Sequence, residues 1–346
     1  MPIVALIPAR NEPDIGSTVD SIFRQSYLVD EIFVLTNNCT DDGATKRIAE
    51  EHGATVIDLG AISGRKAGAL NAGLHEVLKI LPDTELILQM DADSILGERF
   101  LELTLSSMLS NEKIGGLGAS FLAQKKPGKN LLGDFLVWGQ RQEYAHNQGG
   151  GLFQQVSVLS GTASLLRVAA LIEVDELRGF VWNESSLVED YELTKALTRL
   201  DWLCMTDAKF VVYTDVMTSW PEFIQQRLRW QRGTLQTIFK DYRGLRCVRK
   251  DAWQQRLSYA LFLPHLTGYI LMFLAIMLSG FGLSAFVVVW VMLGVYHGWS
   301  TRKAGIGAAI LAALIIPLEL YNFVRYLWFF KSWRLYRTTS ADLQSW

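Results

Sequence analysis

Leu86-Ile87-Leu88-Gln89-Met90-Asp91-Ala92-Asp93 is the stretch on which the fold turns. A short, mostly apolar run bounded by polar residues suits a strand covered on both faces. Two carboxylates follow it, with one residue between them. The same order recurs upstream: Ile3 to Ile7, ended by Pro8, then Ile32 to Leu35, then Thr55 to Leu59. Helical patterns separate these runs. They are Ile15, Val19, Ile22 and Phe23 behind an Asp14 cap, Asp41 to Glu51, and Lys66 to Ile80. Strand, helix, strand repeated in this way predicts an α/β domain with a mainly parallel sheet covered by helices.

Ligands of such sheets bind beyond the carboxyl ends of the strands. The residues there are Arg10-Asn11-Glu12, Thr36-Asn37-Asn38, Gly64-Arg65-Lys66 and Asp91-Ala92-Asp93. No Gly-x-Gly-x-x-Gly follows the first strand, which argues against a dinucleotide enzyme. Asp91 and Asp93 can clamp a divalent cation, Mn2+ or Mg2+, which takes oxygen ligands and substrate phosphates. A solvated turn with a helix cap would use the same two residues. Lys66 stands near a helix start, where backbone donors favour an anion; the plainer account is an exposed cation in a glycine loop.

Farther on, Phe100 to Leu109 and Leu131 to Gln148 read as helices, and Ile114 to Phe121 as a strand. Lys125 to Lys129 reads as an exposed loop, and Gly149-Gly150-Gly151 as a break. Val156 to Leu159 leads into Ser160-Gly161-Thr162, and Leu187-Val188-Glu189-Asp190 opens a helix that ends near Leu200. Glu189 and Asp190 serve either as helix caps or, in a pocket, as acceptors for the proton of an attacking hydroxyl.

The chain has 346 residues, half of them hydrophobic, and a mean hydropathy of +0.17. Its charges are concentrated before about residue 257, so a soluble part followed by a membrane part is expected. The net charge of -2 conceals a basic stretch. Arg227, Arg229, Arg232, Lys240, Arg243, Arg246, Arg249, Lys250 and Arg256 face only Asp241 and Asp251, a bias that marks the cytoplasmic side of a membrane. Leu257 to Leu278 and Phe281 to Tyr296 are long enough, or nearly so, to cross a core about 30 Å thick. A third run from Gly305 suits a short or tilted span up to Pro317, followed by an aromatic interfacial helix. Cys39, Cys204 and Cys247 are too scattered for a disulfide framework or a zinc site. Ile3 to Pro8 is too short for a signal peptide.

Within the basic stretch, Gln226-Arg227-Leu228-Arg229-Trp230 allows two readings. The arginine can offset a leaving diphosphate and the indole can stack on a sugar, or both can meet lipid headgroups.

Together these motifs resemble the family 2 glycosyltransferases, and within them the membrane-embedded processive group of cellulose, hyaluronan, chitin and poly-N-acetylglucosamine synthases. Pro8-Ala9-Arg10-Asn11-Glu12 looks like the opening motif, and Asn37 to Asp42 like the uridine-side loop, with an amide at Asn37 where many relatives have an aspartate. Lys66 to Asn71 looks like the donor-phosphate motif, and Asp91-Ala92-Asp93 like the metal motif. Glu189-Asp190 matches the acceptor-base motif, and Gln226 to Trp230 the Gln-Arg-x-Arg-Trp signature. Trp299-Ser300-Thr301-Arg302 is similar to the Trp-Gly-Thr-Arg gating loop, with Ser300 in place of the glycine.

The resemblance implies a GT-A-type domain and inverting transfer from a UDP-sugar to the hydroxyl of a growing polysaccharide, without a covalent enzyme intermediate. It implies that Asp190 is the base with Glu189 beside it, that Asp91 and Asp93 hold the metal, and that Lys66 and Arg229 contact the diphosphate. Trp230 would lie under the acceptor sugar. Pro8, Arg10, Glu12, Asn37, Asp41, Ser160, Gly161, Thr162, Gln226, Arg227, Trp299, Thr301 and Arg302 are expected to complete the substrate site.

The expected organisation is a catalytic domain over 1–222, amphipathic interface helices over 223–256, transmembrane helices with a gating-like loop at 299–303 over 257–331, and a tail over 332–346. The catalytic domain would face the cytoplasm from the inner membrane. Expected partners are the nucleotide sugar, a glycan or lipid-linked acceptor, membrane lipids, and a second copy or other subunit completing a channel; nucleic acid is not expected. Two alternatives stand beside this reading: a non-processive transferase acting on a lipid or protein, and a non-catalytic sensor of nucleotide sugars.

Overall fold

The computed structural model of the chain describes residues 1–124, 128, 130–147, 153–261, 267–268, 271, 274–275, 278, 282–302 and 305–338. It divides into two units, Met1–Gln124 with Gly150–Asp215, and Lys125–Gly149 with Val216–Trp346. The helix Leu131–Asn147, expected inside the catalytic domain, groups with the second unit.

The first unit is built on one mixed sheet. Its strands are β1 (Ile3–Ala9), β2 (Glu31–Thr36), β3 (Thr55–Asp58), β4 (Leu86–Met90), β5 (Ile95–Leu96), β6 (Ile114–Ala123), β7 (Gln154–Gln155), β8 (Ala163–Arg167) and β9 (Leu203–Thr214). They run in the order β3-β2-β1-β4-β8-β6-β9-β5, with β7 on β9. The expected parallel pairing holds for β3, β2, β1 and β4. Beyond β4 it changes: β8 runs antiparallel to both β4 and β6, while β9 is parallel to β6.

Burial on both faces explains the uninterrupted apolar runs. Along β1 the side chains alternate, with Ile3, Ala5 and Ile7 in one core and Val4 and Leu6 in the other. The first core is closed by α1 (Ile15–Phe23), α2 (Ala44–Glu51) and α4 (Phe100–Leu109) through Val19, Ile22, Ala49, Leu101 and Leu105. The second is closed by α3 (Arg65–Ile80), α6 (Val168–Arg178) and α7 (Glu189–Arg199) through Leu70, Leu74, Leu171 and Leu193. Asp14 does cap α1, but through its carbonyl, which accepts from Ser17 N and Thr18 N, and not through its side chain. Pro8 does not end β1. It pairs with Leu35 in register, and the ladder to β4 has already stopped at Leu6, so no bond to that neighbour is lost for want of its N–H.

The second unit joins α5 (Leu131–Asn147), α8 (Trp220–Gln236), α9 (Arg249–Ala260) and the helices Gly282–Ser300, Ile306–Ala313 and Ile316–Thr338. Ser219 and Pro221 start α8, as expected of an N-cap and of a residue whose missing N–H is no loss in the first turn. Arg227 Nη2 donates to Glu143 Oε2 at 2.9 Å, and Tyr321 Oη donates to the same oxygen at 2.8 Å. The fully buried Phe223 lies beside them, 5.3 Å edge-on from Trp328 and 6.0 Å from Tyr321 between ring centroids. One carboxylate thus ties α5, α8 and Ile316–Thr338 together.

The membrane domain expected over 257–331 is not supported by the described residues. Among the described residues no single helix is long and apolar enough to cross a membrane. The run Phe281 to Tyr296 falls on the helix Gly282–Ser300, whose apolar part is Phe286–Ser300, about 22 Å at 1.5 Å per residue against a core of about 30 Å. The run from Gly305 is two helices, Ile306–Ala313 and Ile316–Arg337, bent by 87°, which meet the test of length and composition only as a pair. The bend sits at Ile315, which has φ +66 and precedes Ile316-Pro317; a β-branched residue in that region and a following proline both break helical continuity. Leu257 to Leu278 falls largely outside the described residues, as do Lys303 and 339–346.

Candidate active site

The polar residues gather where the parallel strands end. Because β8 is antiparallel to β4, Ala163 pairs with Met90, and the chain entering β8 lies beside the chain leaving β4. Ser160-Gly161-Thr162 therefore meets Asp91, whose N–H donates to Thr162 O at 3.1 Å. From the second core, the start of α7 reaches the same place. Asp190 Oδ2 accepts from Gly161 N at 3.0 Å, and Asp190 Oδ1 accepts from Tyr191 N at 2.7 Å. Thr194 fastens this helix end by accepting from Leu159 N and donating to Asp190 O.

Lys66, in the first turn of α3, enters between the carboxylates. Its Nζ lies 2.5 Å from Asp91 Oδ1 and 3.3 Å from Glu189 Oε1, and donates to Gly161 O at 3.3 Å. Burial works against the ammonium, but Asp91 and Glu189 outweigh it and its pKa is raised. Burial lifts Asp190 to about 6, with Glu189 adding to the rise and Lys66 opposing it. Gly161 leaves room for both groups: a Cβ there would sit 3.1 Å from Asp190 Oδ2 and 3.1 Å from Lys66 Nζ.

Asp93 is lifted to about 7 by burial and then by the charges of Asp91, Asp215 and Glu12. Among the described residues no cluster of three histidine, cysteine or carboxylate side chains forms a metal cage. Two neighbouring carboxylates in an over-acidic pocket nevertheless fit a hard divalent cation that completes its shell with waters and phosphates.

The loops after β1 and β2 form a second group. Arg10 Nε donates to Asn38 O at 3.2 Å, Asn11 and Thr40 exchange two hydrogen bonds, and Glu12 N donates to Thr45 Oγ1. Asp41 accepts from the hydroxyl and the N–H of Thr45, which holds its pKa below the usual value. Asn37 is buried at the end of β2, its N–H bonded to Ala9 O. Asn11, Asn38, Asp42 and Arg65 all adopt positive φ. Such a concentration of strained backbone at strand ends is typical of ligand sites.

Asn71, which the sequence reading placed at the end of the donor-phosphate motif without a role of its own, is a positioning residue. Its Oδ1 accepts from Val181 N and Trp182 N, and its Nδ2 donates to Trp182 O. Trp182 Nε1 then donates to the buried Gln89. The loop leading to Glu189 is pinned this way, with Arg178 paired to the buried Glu192 at 2.5 Å as a second fastening.

The remaining expected residues belong to the second unit. Arg227 is buried in its pair with Glu143 and stacks 4.6 Å from the Trp230 ring centroid, whereas Arg229 is exposed and Gln226 and Trp230 are half-buried. Thr301 turns inward and donates to His297 O. Arg302 lies over the exposed Trp299 ring at 4.1 Å.

An α/β layer structure with a mostly parallel mixed sheet and carboxylates at its strand ends is a GT-A-like fold. Residues 2–233 match the family described as "Glycosyltransferase like family 2", and the chain belongs to that family. It is 23% identical over 247 residues to the probable glycosyltransferase YdaM of Bacillus subtilis, covering 69% of this chain and 56% of that one. It is 26% identical over 272 residues to a beta-monoglucosyldiacylglycerol synthase of Synechocystis, covering 75% and 53%. The chain spans about half the length of these curated relatives. Two solved structures share the fold at low identity. The mannosyltransferase PcManGT of Pyrobaculum calidifontis, in complex with GDP-Man and Mn2+, has a TM-score of 0.54 at 18% identity over 91% of this chain and 86% of its own. Residues 1–349 of S. aureus TarS, in complex with UDP-GlcNAc, have 0.51 at 15% over 97% and 92%. The comparisons reach the family and no narrower group.

Proposed function

We propose that this chain is an inverting glycosyltransferase that moves a sugar from a nucleoside diphosphate sugar, a UDP-sugar by the reading of its uridine-side loop, to an acceptor hydroxyl at the inner membrane. The observation that carries it is the carboxylate of Asp190, held by Gly161 N and Tyr191 N and lifted to about 6 by burial. A base with that affinity for a proton is ionised at neutral pH and still able to take one. The attacking hydroxyl gives its proton to Asp190 as its oxygen bonds to the anomeric carbon, and the bond from that carbon to the diphosphate breaks. Lys66 turns from Asp91 and Glu189 to the diphosphate as charge develops there, and Glu189 keeps Asp190 basic.

Asp93, with Asp91 beside it, would hold a Mn2+ or Mg2+ ion, which supplies charge stabilisation to the departing diphosphate. The printed complexes of the two fold neighbours, one with GDP-Man and Mn2+ and one with UDP-GlcNAc, support a nucleotide-sugar donor and a divalent cation. Arg229, exposed on α8, is the better placed of the two motif arginines to meet a ligand, since Arg227 is engaged by Glu143.

The acceptor has two readings. The Gln226 to Trp230 motif supports extension of a polysaccharide. The relative named as a glucosyldiacylglycerol synthase supports addition of one sugar to a lipid. The basic stretch from Arg227 to Arg256 and the bent helix pair support membrane attachment with the catalytic unit in the cytoplasm. Incubating the purified chain with radiolabelled UDP- and GDP-sugars, with and without Mn2+, and sizing the products tests the whole reading. Nucleotide release with a labelled glycan or glycolipid is expected; donor binding without turnover would leave only the sensor.

A further inference from the structure

A hollow in the second unit is used by none of this chemistry. The last turn of α8 widens into a π-helix at Thr237–Asp241, and Gly244, at φ +80, turns the chain back toward α9. A space of about 240 Å3 is left between them. Buried Ile238 and Val248 form its floor, and Phe239, Leu245 and Trp253 its walls. Arg243, Arg249 and Arg256 contribute the charge. All three are exposed, and among the described residues no carboxylate engages any of them. Arg256 lies 5.5 Å from the Phe239 ring centroid. The acidic residues of this stretch, Asp241 and Asp251, are not in the lining.

Three unopposed guanidinium groups around an apolar floor call for an anion carried on an apolar body. Guanidinium forks match phosphate oxygens. The volume lies below the roughly 300–1,000 Å3 of ordinary small-molecule pockets and suits a single headgroup better than a nucleotide sugar. At a spacing of four residues along α9, starting from the lining residue Trp253, Trp253 is 65% exposed, Leu257 40% and Leu261, at the helix end, 50%, an apolar stripe that leads away from the pocket. We propose that this pocket binds the phosphate headgroup of one anionic phospholipid, with the acyl chains lying along Trp253, Leu257 and Leu261. The proposal rests on the membrane attachment argued above and is independent of catalysis.

Native mass spectrometry of the full chain in detergent, titrated separately with phosphatidylglycerol, phosphatidylcholine and glycerol 3-phosphate, tests it without donor or acceptor. One phosphatidylglycerol per chain is expected, at least about tenfold tighter than phosphatidylcholine, and weakened about tenfold by Arg249→Ala with Arg256→Ala. Because these side chains are exposed, circular dichroism of the variant should match that of the parent. Trp253→Ala should weaken the lipid and leave glycerol 3-phosphate unaffected. Equal affinity for both phospholipids would overturn the pocket while leaving membrane attachment standing. Glycerol 3-phosphate binding as tightly as the lipid would make it a free-phosphate site and also overturn the proposal. Loss of turnover in Asp190→Asn has no bearing on either result.

Discussion

Lys66 Nζ stands 2.5 Å from Asp91 Oδ1, so the ammonium in the site is paired with a carboxylate of the metal motif. Donor phosphate and Asp91 must therefore compete for one ammonium. Lys66→Ala removes the charge that meets the diphosphate and leaves Asp91 and Glu189 uncompensated. Its kcat/KM for the donor should fall by about 100-fold or more. Steady-state kinetics with varied donor check this.

The pH profile follows from Asp190. The base works only when deprotonated, so kcat/KM should rise with pH through an apparent pKa of about 6 and then level. Burial and Glu189 raise that pKa while Lys66 lowers it. In Lys66→Met the lowering influence is gone, and the rising limb should move to higher pH. A limb that moves down would contradict the assignment.

Gly161→Ala tests how closely the site is fitted. The added methyl would sit 3.1 Å from both Asp190 Oδ2 and Lys66 Nζ. A displacement of a few tenths of an ångström at the base should lower kcat about tenfold. The thermal midpoint should change little, since no core contact is lost.

The two motif arginines separate by role. Arg227→Ala leaves the half-buried Glu143 with Tyr321 as partner but without its cation, and should cost about 1–3 kcal/mol of stability. Arg229→Ala, at an exposed position, should leave the melting temperature within error while reducing turnover. Differential scanning fluorimetry beside activity assays distinguishes the two.

Asn71→Ala should act on the site from a distance. It frees two backbone N–H groups and one carbonyl in the loop before α7, a loss of about 1–3 kcal/mol. Faster proteolysis within residues 179–188 and a lower kcat are expected, with KM for the donor little changed.

Where the chain is parallel and doubly covered, its sequence is easy to read. β1, β2 and β4 are runs of apolar residues because both faces are buried, and α1, α3 and α4 lie between or after them as their periodicity suggests. Beyond β4 the reading fades. β8 is only Ala163–Arg167, and β9 mixes Thr206, Asp207 and Lys209 with apolar residues because much of it is only half-buried. Lys66, Asp91, Glu189 and Asp190 were legible as strand-end and helix-start residues, and the structure brings them together. The positioning role of Asn71 was not, because its partners are backbone groups 110 and 111 residues away. The burial of Arg227 was equally hidden, since Glu143 lies 84 residues earlier. The third apolar run was read as a short or tilted segment up to Pro317 with an aromatic helix beyond it, and the chain does divide there, at Ile315 with its positive φ just before Ile316-Pro317.

The central claim is that Asp190 is the base, and one substitution tests it most directly. Asp190→Asn keeps the size of the side chain and can still accept from Gly161 N, but it cannot take a proton. The account predicts that nucleotide release from the purified chain falls by at least about 100-fold while donor affinity, measured by calorimetry, stays within a few-fold of the parent. Full turnover in Asp190→Asn, or loss of donor binding with no separate loss in the chemical step, would contradict it.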